Sequence, residues 1–119
     1  IPASVTTLAA GSQSDAITPR GKTGPAAPHG LRHGVNDYTA WFAGDDAMRG
    51  QYFGYDGPCP PWNDELMPHY VFPVYALATP TLNVDGELNG ENVLKAIDAA
   101  GVLGSARITG LYSLNPAIC

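Results

Sequence analysis

Basic residues are scarce in this sequence, and cysteine is scarcer. Six Lys and Arg stand against eleven Asp and Glu in 119 residues, a formal net charge of -5. Such a chain repels a polyphosphate backbone instead of releasing its counterions, so nucleic-acid binding is disfavoured. The two cysteines, Cys59 and Cys119, form no CxxC pair and supply too few thiolates for a structural zinc site. No apolar run approaches the roughly 20 residues that span a bilayer as a helix. GxSxG, P-loop and GxGxxG blocks are all missing, which leaves serine-hydrolase, nucleotide-hydrolase and dinucleotide readings without support.

What is present is enough for one folded domain. Hydrophobic residues make up 45% and charged residues 14%, a balance that builds a core and is unlike that of a disordered segment. The 14 Gly and 11 Pro favour turns and loops over long helices and argue against a helical bundle. Residues 4–30 read as one long surface loop rich in Gly, Ser, Thr, Ala and Pro. A loop of that length is expected either to move or to pack on polypeptide outside this chain. Gly34, Asn36 and Asp37 mark turns, and Tyr38, Trp41, Phe42, Tyr52 and Phe53 are expected to anchor the loops around them. Asp56 to Pro61 (DGPCPP) carries three prolines and must be a rigid loop.

The strongest strand signal is Tyr70 to Ala78 (YVFPVYALA), apolar on both faces and therefore expected to be covered on both. Pro73 cannot donate to a ladder, so irregular pairing is expected there. Between Gly90 and Leu103, Val93, Leu94, Ile97 and Ala100 form one stripe at helical spacing, with Asn89 as N-cap and Gly101 or Gly104 as the stop. Ala106 to Leu114 alternates, with Ala106, Ile108, Gly110, Tyr112 and Leu114 on one face, and reads as a last strand. The fold class is mainly β with helical decoration, yet three or four strands are few for a closed sandwich or barrel.

The blocks Gly34 to Tyr38 (GVNDY), Gly54 to Pro61 (GYDGPCPP), His69 to Phe72 (HYVF) and Val74 to Leu77 (VYAL), then a helix and a closing Gly110 to Tyr112, resemble the phosphatidylethanolamine-binding protein family. The similarity is greatest to its bacterial, Raf-kinase-inhibitor-like branch, with residues 31–119 as the main matching region. Ile1-Pro2-Ala3 resembles a short block that follows the family's first acidic motif and its His-bearing strand. The resemblance implies that residues 1–119 are the C-terminal part of a single phosphatidylethanolamine-binding-protein-like β sandwich with a short C-terminal helix. The missing N-terminal half is expected on a companion chain, as in a cleaved precursor or heterodimer. Half a sandwich exposes apolar faces, and the alternatives to a companion are a homo-oligomer such as a domain-swapped homodimer, or a shortened but self-sufficient variant.

In that family an anion pocket combines an Asp and a His of the first half with a proline pair and a His-Arg-Tyr or His-His-Tyr block of the second. The matching ligand-binding residues are Pro60, Pro61, His69 and Tyr70. Rigid prolines would shape a wall, while imidazole and phenol would donate to phosphate or carboxylate oxygens. Pro68 stands where the pocket histidine usually is, so either His69 swings inward in its place or the anion site is lost. The implied function is a non-enzymatic binding protein for an anionic head group, a phosphorylated ligand or a small molecule, modulating a kinase or protease. The alternative is a small-molecule enzyme pairing the pocket histidine with a carboxylate of the absent half.

No metal or cofactor is expected. His29 and His33 are four apart, but Pro28, Gly30 and Gly34 argue against a helix that would align them, and no HExxH glutamate accompanies them. Asp37, Asp45, Asp46 and Asp56 match no EF-hand spacing and read as solvated loop carboxylates. Cys59 and Cys119 either pair, closing a loop of about 60 residues with a gain of roughly 4 kcal/mol, or stay free, or Cys119 bridges elsewhere. The compartment stays open, with a lean towards the periplasm or secretion.

Overall fold

The computed structural model describes residues 1–14 and 16–119. Its regular elements are a single-turn helix α1 (Tyr38–Trp41), strand β1 (His69–Leu77), helix α2 (Gly90–Ala100) and strand β2 (Val102–Leu111). A short 3-10 turn covers Pro28–Gly30. The two strands form a two-stranded antiparallel sheet with His69 opposite Leu111 and Tyr75 opposite Ser105.

Cross-strand partners share a face, so the register sorts the hairpin's side chains. Tyr70, Phe72, Val74 and Ala76 lie with Gly110, Ile108, Ala106 and Gly104 on a wholly apolar face, while Arg107, Thr109 and Ser105 lie with His69 on the other. Cover was expected on both faces of this strand, and neither face has it. Phe72 is 44% exposed and Ile108 71% exposed, because no helix packs extensively on the hairpin among the described residues. The register runs through Pro73, opposite Arg107, without a shift, and the irregularity expected there falls at Ala76/Leu77 instead. Residues of an antiparallel strand turn their N–H alternately towards and away from the partner, and a proline is tolerated at the second kind of position. Pro73 thus directs its nitrogen to the free edge of β1.

Helix α2 begins where its cap says it should. The Asn89 side chain accepts from Asn92 N at 2.9 Å, and Gly101, at φ 79°, ends the helix. β2 starts at once, at Val102, so the residues from 102 to 104 that the helical stripe could have claimed belong to the strand.

The long N-terminal loop is knit onto the chain rather than left loose. Gly21, at φ 89°, lies against the Gln51 carbonyl where a Cβ would collide, and Gly50 faces the Arg20 carbonyl in the same way. Tyr52, fully buried, fastens the contact: its hydroxyl accepts from Arg20 N and donates to the Met48 carbonyl. The rings of Tyr38 and Phe42 surround it at centroid distances of 5.9 and 5.5 Å, the aromatic anchorage anticipated for this stretch. The segment Gly34–Asn36 runs between two others: Asn36 N donates to Tyr52 O at 2.7 Å, and Val35 N donates to Leu88 O at 2.7 Å. Leu31, Val35, Tyr52 and Pro60 are the buried apolar residues among those described.

So few buried apolar side chains make a small core, and the surface shows it. The accessible area is 8440 Å², against about 6,200 Å² for a typical folded monomer of 12.5 kDa. The radius of gyration is 15.7 Å, where about 13.5 Å is usual for this length.

Candidate functional site

Two hollows stand out on the surface of the described residues. The larger, about 350 Å³, lies where Arg32 and His33 meet Leu88 and Asn89, and holds none of the four ligand-binding residues expected from the sequence. The smaller, about 310 Å³, is walled by Asn36, Asp37, Tyr38 and Trp41 on one side and by Tyr55, Asp56, Gly57, Cys59 and Tyr70 on the other. This second cleft joins the GVNDY and GYDGPCPP blocks to the start of β1.

Its frame is polar and buried. Asn36 accepts from Tyr38 N at 3.0 Å, which starts α1, and its amide donates to Gly54 O at 2.8 Å and to Asp56 Oδ2 at 2.6 Å. The Asp56 side chain is 1% exposed, with Lys22 Nζ 2.9 Å from its Oδ1. The contact is an ion pair without a hydrogen bond to Oδ1, which has no hydrogen-bond partner, and the ammonium donates to Tyr55 O, 2.9 Å away. Asp56 is therefore no solvated loop carboxylate, in contrast to Asp37, Asp45 and Asp46, which are exposed. A buried carboxylate needs such partners because desolvation costs it several kcal/mol.

The phenols respond to this frame. Burial first, then the neighbouring Cys59 thiol and the Asp56 and Tyr70 groups, push the Tyr38 hydroxyl up to about 12. Tyr55 is raised too, by burial and by Tyr70. Outside the cleft, burial and the charge of Lys22 lower His33, whose Nε2 lies 2.9 Å from Gln13 Oε1. Tyr55 packs edge-on against Phe72 at 5.5 Å and ties the cleft to the apolar face of β1.

Of the expected ligand-binding residues, Tyr70 lines the cleft. Pro60 is buried, while Pro61 and His69 are exposed, and these three are not among the cleft's walls. Both thiols are free and exposed, and Cys119 Sγ donates to Ser113 O at 3.3 Å. No group of three or more His, Cys, Asp or Glu is placed to hold a metal ion among the described residues. Sequence reasoning passed over Asn36, Asp37, Tyr38, Trp41, Tyr55 and Asp56 as site residues. Their signal was the pair of turn-rich blocks at 34–38 and 54–61, which read as turns and a rigid loop and as carriers of the resemblance.

A small antiparallel sheet, few and short helices and a cleft framed by long loops define a mainly β protein with a loop-built hollow. The family model for phosphatidylethanolamine-binding protein matches residues 1–113. The chain belongs to the phosphatidylethanolamine-binding protein family. No curated protein and no solved structure matches it.

Proposed function

We propose that this chain is a non-enzymatic binding protein that lodges a small ligand in the cleft between Tyr38 and Tyr70. The observation that carries the reading is the frame itself: Asn36, Asp56 and Lys22 fix the two walls by buried polar bonds, so the hollow is held open in advance. Family membership is compatible with ligand binding. An anionic head group, and the modulation of a kinase or protease through a phosphorylated partner, remain the form that the family resemblance suggests. Neither Lys, Arg nor His lines the cleft, and Lys22 is engaged with Asp56. An anion would therefore draw its donors from His69 at the start of β1 or from a companion chain.

That companion is the second part of the proposal. The chain acts as the C-terminal portion of a β sandwich of the bacterial, Raf-kinase-inhibitor-like kind, the rest being carried by a partner that covers the apolar face of the hairpin. The support is area: the surface exceeds that of a typical monomer by roughly 2,000 Å², where a standard interface takes about 800 Å² from each partner. Native mass spectrometry of the non-reduced protein reads the companion directly, and a solitary compact monomer overturns it. For the cleft, amide chemical shifts of Gly57, Tyr38 and Tyr70 are followed while small anions and small amines are titrated. Tyr70→Ala abolishes the response, and shifts confined to other regions overturn the site.

A further inference from the structure

We propose that the companion joins this chain as a β-strand: an extended segment of it pairs with the open edge of β2, carries a carboxylate opposite Arg107, and turns alternate apolar side chains onto the face of Ile108. This names the mode of contact and the chemistry of the partner, and it rests on the reading that a companion exists.

The register decides which backbone groups face outward. Opposite residues of an antiparallel pair direct their N–H and C=O groups alike, both into the ladder or both away from it. Pro73 has no N–H to give and sits opposite Arg107 in an unshifted stretch, so this pair belongs to the outward kind. With a period of two, Ser105, Arg107 and Thr109 present their amides and carbonyls at the free edge of β2, and these groups have no hydrogen-bond partner among the described residues. The matching groups on β1 belong to Val71, Pro73 and Tyr75, where the missing donor falls in the middle of the row. A strand added at β1 loses a rung, whereas one added at β2 meets an uninterrupted row of donors and acceptors.

The side chains define the strand that fits. Ser105, Arg107 and Thr109 share the polar face, and neither strand of the hairpin contains an Asp or a Glu. Arg107 is exposed and takes part in none of the ion pairs among the described residues, so a carboxylate directly across from it gains a cross-strand pair. On the other face Gly104 and Gly110 flank Ala106 and Ile108 with open space where their Cβ atoms would stand, room that large apolar side chains of an adjoining strand fill. A second copy of this chain suits the edge poorly. Antiparallel pairing of β2 with itself about a two-fold axis near its centre sets the two Arg107 side chains opposite or diagonal to each other, and like charges so placed repel.

The test uses the protein as isolated, with its companion. Native mass spectrometry first reads the assembly: a heteromeric mass is expected, a mass of two identical chains overturns the inference, and a solitary chain overturns it together with the companion reading. On the heteromeric assembly, amide hydrogen exchange is then followed by NMR. Ser105, Arg107 and Thr109 are expected to exchange at least about tenfold more slowly than Val71 and Tyr75, which face the other edge. Equal rates at the two edges overturn the pairing and leave the companion standing. Thr109→Pro removes an outward N–H, as Pro73 does across the hairpin, and is expected to release the companion with the circular dichroism unchanged. Val71→Pro, at the opposite place in β1, retains it. A companion that survives Thr109→Pro overturns the pairing as well. Arg107→Ala is expected to weaken the assembly by roughly 1.5- to 5-fold and Arg107→Lys to preserve it. An Arg107→Glu chain that holds the companion as tightly as the native one overturns the carboxylate.

Discussion

Residues 18–56 and the hairpin of β1 and β2 solve the problem of folding in opposite ways. The first region has the composition of a loop, yet among the described residues it encloses the fully buried Tyr52 side chain and an ion pair whose carboxylate is buried. The hairpin carries the chain's strongest strand signal and a ladder regular up to Ala76, yet its side chains stand bare, Ile108 at 71% and Val74 at 54% exposure. Hydrogen bonding and hydrophobic burial are thus separated along the chain. The loop region is closed on itself by specific polar contacts, whereas the hairpin offers surface whose burial depends on something else.

Substitutions can break or sharpen that contrast. The largest loss is expected from Asp56→Ala, which leaves Lys22 and Asn36 without their buried partner and costs about 3–5 kcal/mol. Urea denaturation measures it, and a change under 1 kcal/mol would show that the loops are not locked by this pair. Tyr52→Phe removes one hydroxyl that both accepts and donates, for about 1–3 kcal/mol. The same denaturation curves, with an unchanged slope, check it. In the hairpin, Ile108→Ala on the isolated chain is expected to stay within about 0.5 kcal/mol. If a companion covers the apolar face, Ile108→Asp dissociates it, visible as a shift in native mass.

Acidity gives a further handle on the loop region. Burial lowers His33 below its ordinary 6.5 in the folded protein, so the unfolded chain binds the proton more readily. Stability therefore falls as pH drops through 6.5 and levels off once the lowered value is passed. His33→Gln flattens that dependence in thermal melts between pH 7 and 4, and an equally steep curve in the variant would discard the assignment. The smallest effect is expected on α2: Lys95→Ala removes an exposed pair with Glu91, worth about 0.3–0.5 kcal/mol, and high salt erases the difference.

The elements that the sequence declared most clearly are those whose signals are local. Asn89 and Gly101 bounded α2 because a cap needs only its own side chain or its own φ. The alternation of Ala106, Ile108 and Gly110 set the apolar face of β2, although the strand begins four residues earlier than the alternation suggested. The burial of Asp56 was not legible, because it depends on Lys22, thirty-four positions away, and on an Asn36 amide that a turn holds in place. Nor was the docking of the N-terminal loop, which rests on the mutual approach of two backbones at Gly21 and Gly50. In the cleft, the resemblance points to Tyr70, whereas Tyr38 and Trp41 read from the sequence as loop anchors and Tyr55 carries no expected role of its own. Rings serve both purposes, and composition does not separate them.

A bare apolar ribbon is an invitation to fibrillar stacking, in which copies add strand upon strand through their unpaired backbone groups. Pro73 interrupts the donor row at the middle of one such border, so a growing filament would find a missing rung there. The ring thereby guards the hairpin against templated growth while leaving its flat side available for a proper neighbour.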